Sequence, residues 1–201
     1  PDQITTKTAV FAEAEEAVSK LIDAADVLLD FELKGLNGRV YETAREASAE
    51  QMLAFWNKGK NELHDYAQLL MKGRKCLHWE LVFPDVLIEG GFDAFVGNPP
   101  FIGGKKISGV LGTDYLSYLK SSFQASGATT DLCAYFFRRA FSLLKPSGFM
   151  SLLATNTIAE GDTREVGLGH LTKFGTIYRA IRSQPWPGIA NLSIAVVCYT
   201  K

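Results

Sequence analysis

From residue 10 to residue 31 the apolar residues recur at helical spacing: Val10, Phe11, Ala14, Val18, Leu21, Ile22, Ala25, Leu28 and Leu29. Glu13, Glu15, Glu16, Asp23 and Asp26 fall on the other side of the same helical wheel. The pattern predicts one long amphipathic helix, its apolar stripe turned to a core and its carboxylates to water. Gly35 and Gly38, in Gly-Leu-Asn-Gly, interrupt it. A second helical stretch, from about 43 to 71, carries Met52, Leu53, Phe55, Trp56, Leu63, Tyr66, Ala67 and Leu70. Residues 1–76 therefore read as an α-helical hairpin, a scaffold or an insert, and nothing in it suggests catalysis.

After Gly73 the period changes. Phe92-Asp-Ala-Phe-Val-Gly97 reads as a buried strand, with Asp93 at its start as a turn or capping residue. Residues 131–144 read as a helix and 148–154 as the next strand. Strand, helix, strand implies parallel pairing in an α/β sheet. Residues 176–182 and 193–199 form two further candidates. The stretch between them, with Pro185, Pro187 and Gly188, is too short for a crossover helix, so this last pair is expected to be antiparallel.

Composition narrows the class. A chain of 201 residues with 47% hydrophobic and 11% aromatic content can bury a sizeable core. No stretch approaches the roughly 20 apolar residues of a membrane span, and the N-terminus lacks the features of a signal peptide, so a cytoplasmic protein is expected. The start at Pro1 and the stop at Lys201, just after an apolar run, read as cut ends of a longer chain. Cys76, Cys133 and Cys198 are odd in number and lack CxxC spacing, which points to buried free thiols rather than disulfides or zinc. His64, His78 and His170 show no metal spacing either, and His78 beside Trp79 reads as a packed core histidine. Charge is unevenly spread: residues 1–91 hold ten basic against sixteen acidic side chains, residues 92–201 eleven against six. The second half has the sign of a surface that faces nucleic acid.

The sharpest chemistry lies at Gly97-Asn98-Pro99-Pro100-Phe101, at the carboxyl end of the first strand, where open parallel sheets bind ligands. Two prolines fix successive φ angles and push Asn98 into an extended conformation, so the loop is stiff. Asn98 offers an amide oxygen, the Pro99 carbonyl a second acceptor, and Phe101 a flat apolar face. These features suit an aryl amine, whose two N–H groups can be held by two acceptors while its ring stacks.

Asn98-Pro-Pro-Phe101 after a hydrophobic strand resembles the catalytic motif of amino-methyltransferases, in which Asn, Asp or Ser precedes Pro-Pro and an aromatic residue. The wider strings Leu77-His-Trp-Glu-Leu-Val-Phe-Pro-Asp85 and Gly90-Gly-Phe-Asp-Ala-Phe-Val-Gly-Asn-Pro-Pro-Phe101 are similar to the large adenine-specific DNA methylases of restriction-modification and phage-defence systems. Asp131-Leu-Cys-Ala-Tyr-Phe-Phe137 and Leu144-Lys-Pro-Ser-Gly-Phe-Met-Ser-Leu-Leu-Ala-Thr-Asn156 follow in the family's order, so the resemblance covers about residues 77–200. It implies α/β architecture: part of a class I methyltransferase (Rossmann-like) sheet with a C-terminal antiparallel strand pair, residues 77–201 forming the catalytic half. It also implies double-stranded DNA as partner and S-adenosylmethionine as cofactor, with Asn98 and Pro99 touching the cofactor near its reactive methyl.

By the same resemblance the adenine is flipped out of the duplex, its amine held by Asn98 and the Pro99 carbonyl while Phe101 stacks on the base. Holding the amine by two acceptors frees its lone pair for attack, and the proton leaves afterwards, so no strong general base is needed. Trp186, before the last strand, stands where the family often places a second aromatic against the base, or is a loop tryptophan that shields the core. Lys105 and Lys106 meet phosphate or solubilise a loop. Arg138 and Arg139 are expected on a helix that packs the sheet, one with its stem buried, and neither is assigned as a DNA contact.

A complete enzyme of this kind needs a glycine-rich turn after the first strand and an acidic residue after the second. Gly35-Leu-Asn-Gly38 follows a helix and is rejected as that turn. The N-terminal cofactor-binding half and the target-recognition domain are thus expected elsewhere in a longer chain, and residues 1–201 alone are expected to be inactive. The alternatives are a protein glutamine methyltransferase using the same motif, or an inactive scaffold or binding module.

Overall fold

A computed structural model describes residues 2–34, 38–58, 60–123, 129–186, 189 and 193–201. The chain divides into two compact units, Pro1–Pro84 and Asp85–Lys201.

The first unit is helical. Helices α1 (Asp2–Leu33), α2 (Gly38–Lys58) and α3 (Lys60–Met71) precede the short α4 (Trp79–Val82). Over the stretch 43–71, expected as one helical run, the described residues lie in α2 as far as Lys58 and in α3 from Lys60; residues 35–37 and 59 lie outside the described residues. The expected faces of α1 are corrected. Val10 (60% exposed), Phe11 (66%), Val18, Leu21 and Leu28 face solvent, whereas Asp23, Asp26 and Asp30 are buried beside Ala24 and Val27. The small Ala24 and Ala67, with Val27 and Leu63, allow α1 and α3 to approach closely, and Phe55, Trp56 and Tyr66 close the cluster. Buried carboxylates need partners. Asp23 meets His64 Nδ1 at 2.9 Å, Asp26 meets His78 Nε2 at 2.8 Å, and Asp30 pairs with Lys34 at 2.5 Å. His78 is therefore both packed and paired, a role that hydropathy periodicity cannot reveal.

The second unit is α/β. Helix α5 (Pro84–Ile88) leads to Gly90 and Gly91, which turn the chain into strand β1 (Phe92–Gly97). Gly91 has φ +121°, and a Cβ there would overlap the Leu143 carbonyl. Helices α6 (Ile107–Leu111), α7 (Thr113–Ser122) and α8 (Leu132–Leu143) lead to β2 (Leu144–Thr155). Helices α9 (Gly161–Val166) and α10 (Leu168–Leu171) then lead to β3 (Thr176–Pro185) and β4 (Ser193–Thr200). The sheet order is β1-β2-β4-β3. As expected, β1 and β2 are parallel and β3 and β4 antiparallel, with β4 also antiparallel to β2.

Alternation on the strands sets the core. Met150, Leu152 and Ala154 of β2 and Ala195, Val197 and Tyr199 of β4 share one face, packed on Cys133, Ala134, Phe137 and Ala140 of α8. Phe137 is fully buried, which alone contributes about 1.5–3 kcal/mol. The buried Tyr199 hydroxyl donates to the Leu171 carbonyl at 3.0 Å, fastening α10 over the same face. A second cluster, Ile107, Leu119, Leu132, Tyr135 and Val166, seats α6 and α7.

Strand β1 is not the buried strand expected from its apolar run. It lies at the edge of the described sheet, Val96 is 86% exposed, and Phe149 and Tyr178 are exposed in edge-to-face contact at 6.1 Å. Within this unit the helices pack on the face of Met150, Leu152, Val197 and Tyr199, opposite to the exposed Phe149. Asp93 is likewise inside β1 rather than before it, ion-paired with Lys145 of β2.

Candidate active site

The parallel β1/β2 pair defines a carboxyl edge, and the Asn-Pro-Pro-Phe loop leaves β1 there. Asn98 is exposed, Pro99 buried, Pro100 exposed and Phe101 half-buried. Among the described residues the Asn98 amide has no hydrogen-bond partner, so its acceptor oxygen is available to a ligand. The Ile102 N–H donates to the Pro100 carbonyl at 3.2 Å, folding the chain tightly behind Phe101.

The far end of the loop is tied to α8. The Leu132 N–H, first of the helix, donates to the Ile102 carbonyl at 2.9 Å, and the Gly104 N–H donates to Asp131 Oδ1 at 2.8 Å. The other oxygen of Asp131 accepts from the Thr157 hydroxyl at 2.5 Å, in the turn that follows β2. Thr157 in turn lies 2.6 Å from the Thr155 hydroxyl at the end of that strand. Gly104 opens a short 3-10 turn that carries Lys105 and Lys106, both exposed.

Strand β3 runs parallel to β1 and β2, because two antiparallel pairings through β4 restore the direction. Its end therefore reaches the same carboxyl edge, and Trp186 follows it, half-buried. Two strands separate β3 from β1, roughly 14 Å at the usual strand spacing, and no ring contact joins Trp186 to Phe101 among the described residues. Just before it, Ser183 adopts φ +55° at a bulge in β3. Asn156 clamps that residue, accepting from the Ser183 N–H at 3.1 Å and donating to its hydroxyl at 3.2 Å. Pro187 and Gly188 lie outside the described residues.

The structure thus gathers Asn98, Pro99, Pro100 and Phe101 on one loop, places Lys105 and Lys106 on the turn behind it, and sets Trp186 farther along the edge. Asp131, Thr157 and Asn156 were not singled out from the sequence. An acidic residue directly before an apolar helical run is an ordinary capping signal, and only the fold shows where this carboxylate goes.

Electrostatically the loop is quiet. Its attached carboxylate, Asp131, has both oxygens engaged. Burial, with the Asp131 charge behind it, pushes the Cys133 thiol up to about 12, so it is no nucleophile. Burial also lowers the basicity of His170, which stacks with Phe141 and Phe174 on the helix-covered side. Arg138 is half-buried, its guanidinium donating to the Phe123 carbonyl and lying over the Phe123 ring, while Arg139 is exposed. What the site offers is a rigid pair of neutral acceptors beside an aromatic face. Such a set of groups has the chemistry to hold a planar amine, and Asn98 and Pro99 are the groups of this loop that a methyl-donor cofactor would meet. None of the described strands is followed directly by a glycine-rich turn that would cradle the remainder.

Among curated proteins, the adenine-specific methyltransferase BrxX of Escherichia coli O9:H4 (strain HS) is 45% identical over 58 residues, which cover 29% of this chain and 4% of that protein. Among solved structures, the Type IIL restriction-modification enzyme MmeI in complex with DNA matches with a TM-score of 0.50 at 17% identity, over 69% of this chain and 21% of that one. This chain thus spans a small part of the length of either. The structural likeness shows the fold alone, a Rossmann-like α/β sheet. The family model of the Eco57I restriction-modification methylases matches residues 6–170, most of both units. On that match, the chain belongs to the Eco57I restriction-modification methylase family.

Proposed function

We propose that this chain supplies the amine-holding half of a site-specific DNA adenine methyltransferase, acting in the prokaryotic cytoplasm within a longer protein. The reaction is transfer of a methyl group from S-adenosylmethionine to the N6 amine of an adenine flipped out of double-stranded DNA. The observation that carries this reading is the rigid Asn98-Pro99-Pro100-Phe101 loop at the carboxyl edge of β1, with its amide exposed and its aromatic half-buried. Family membership supports the chemistry, and the names of BrxX and MmeI support adenine and DNA.

S-adenosylmethionine, when bound, supplies an electrophilic methyl group, and Asn98 and Pro99 are the residues that would lie against that end of it. Asn98 Oδ1 and the Pro99 carbonyl accept the two N–H groups of the adenine amine, orienting its lone pair. Phe101 stacks on the extruded ring and keeps water from it. The proton leaves after attack, to solvent, since the Asp131 carboxylate is already bonded to Gly104 and Thr157. Lys105 and Lys106 neutralise the phosphates beside the extruded nucleotide, and Trp186 extends the aromatic surface along the edge. Contacts to the rest of the cofactor and reading of the target sequence fall to other parts of the longer protein.

Labelled S-adenosylmethionine, presented to the longer protein with duplex DNA and, separately, with a glutamine-bearing protein, tests the reading. Label on the N6 of adenine is expected. Label confined to protein would replace it with glutamine methylation, and no transfer to either would leave a scaffold.

A further inference from the structure

An aspartate in the residue before a helix normally turns its side chain onto the helix's own N–H groups. Asp131 stands in that position before α8, with extended backbone (φ −68°, ψ 149°), yet makes no side-chain cap bond. Its two oxygens reach instead to the Gly104 N–H and to the Thr157 hydroxyl. The helix is served by others: its first N–H by the Ile102 carbonyl, and the Ala134 N–H by the Asp131 carbonyl at 3.1 Å. The Asp131 N–H donates to Thr163 Oγ1 at 3.1 Å, which fixes the residue from a third side.

We propose that Asp131 is a positioning residue for methyl transfer: its carboxylate locks the loop after β1 to the turn after β2 and so holds Asn98 and Phe101 in their working places. The inference rests on the function proposed above. The loop is fixed in front by β1 and the two prolines, and behind by nothing stiffer than Ile102, Gly103 and Gly104. Gly103 has open space beside it apart from Asp131 itself, whose Oδ1 would lie 3.6 Å from an added Cβ. Both rear anchors, the Ile102 carbonyl and the Gly104 N–H, converge on residues 131 and 132. Removing the carboxylate frees the Gly104 anchor and uncouples the loop from Thr157, while the distant core of α8 stays packed.

Asp131 does not touch the substrate, so the effect belongs to turnover rather than to DNA capture. In the longer protein, Asp131→Ala should lower kcat by about 10- to 100-fold, the scale of a loop displaced by up to 1 Å, while KM for DNA stays within about threefold. Asp131→Asn keeps an acceptor for Gly104 and a polar group for Thr157, and should recover kcat to within about threefold of the parent. Thr157→Val removes one of the two bonds and should fall between them. Thr163→Val breaks the bond to the Asp131 N–H but leaves the carboxylate bonded to Gly104 and Thr157, and should lower kcat by less than Asp131→Ala does. Wild-type kcat in the Ala variant, equal loss in the Asn variant, or equal loss in Thr163→Val would each overturn the assignment. If the parent protein transfers no methyl group at all, the functional reading fails first. The tether is then read from amide hydrogen exchange of Gly104, which should accelerate in Asp131→Ala and stay protected in Asp131→Asn; unchanged exchange in the Ala variant would overturn it independently of the reaction.

Discussion

Replacing Gly104 with alanine tests how tightly the loop behind Phe101 is held. A Cβ at this buried position would collide with the Thr129 carbonyl and lie 2.7 Å from the Thr130 carbonyl oxygen, where ordinary contact begins at 3.4 Å. Both neighbours are backbone, so no side chain can swing aside. Either the loop or residues 129–130 must retreat by at least 0.7 Å from that oxygen alone, and by more to clear Thr129. That retreat also stretches the 2.8 Å bond from the Gly104 N–H to Asp131. Overpacking of this kind costs typically about 1–3 kcal/mol, and displacement on the ångström scale lowers turnover by roughly a hundredfold. Single-turnover methylation with saturating DNA and cofactor reads the second effect, and urea unfolding reads the first. A Gly104→Ala protein with parental stability and parental turnover would refute the placement of this loop.

Three further outcomes are expected. Phe101→Ala should weaken capture of an extruded base by roughly 1–3 kcal/mol, with Phe101→Trp retaining much of it; a fluorescent adenine analogue that reports equal extrusion in the Ala variant would contradict the stacking role. The Cys133 thiol keeps its proton to about 12 in the folded chain, whereas an unfolded thiol releases it near about 8.5. Its contribution to stability is therefore complete below the unfolded value and is lost as pH rises through the folded one. Unfolding titrations should show that decline in the parent and not in Cys133→Ala, and a parallel decline in both would exclude Cys133 as its source. Residues 1–201 alone should bind S-adenosylmethionine more weakly than about 10 μM and transfer no methyl group; tighter binding by calorimetric titration would reveal a cofactor site among residues not assigned to it above.

The strand pattern after Gly73 was legible because alternation and turn residues are local. The order of β1, α8 and β2, and the antiparallel β3/β4 pair, followed from apolar runs and from the shortness of the last connection. Two features were misread for one reason: hydropathy periodicity reports which residues are apolar, not what covers them. The stripe from Val10 to Leu28 is the wider apolar face of α1, yet α3 packs on the narrower face of Ala24 and Val27, where His64 meets one oxygen of Asp23 and His78 one of Asp26. Strand β1 is apolar enough for the centre of a sheet, yet it lies at the edge of this one with Val96 exposed. Within the site, Asn98-Pro-Pro-Phe101 was legible because its stiffness and acceptors are encoded in consecutive residues. Asp131, Thr157 and Asn156 were not, since their partners at Gly104, Asp131 and Ser183 lie 26 or 27 positions away and meet only when the strands pair.

The central claim is that Asn98 holds an adenine amine for methylation. Its most direct test is transfer of labelled methyl from S-adenosylmethionine to duplex DNA by the longer protein and by its Asn98→Ala variant, with the modified base identified after digestion. Label on adenine N6 is expected in the parent, with turnover two to four powers of ten lower in the variant, roughly the cost of a lost preorganised polar contact, and DNA affinity little changed. An unchanged rate in Asn98→Ala, or label on any group other than the adenine amine, would contradict the account.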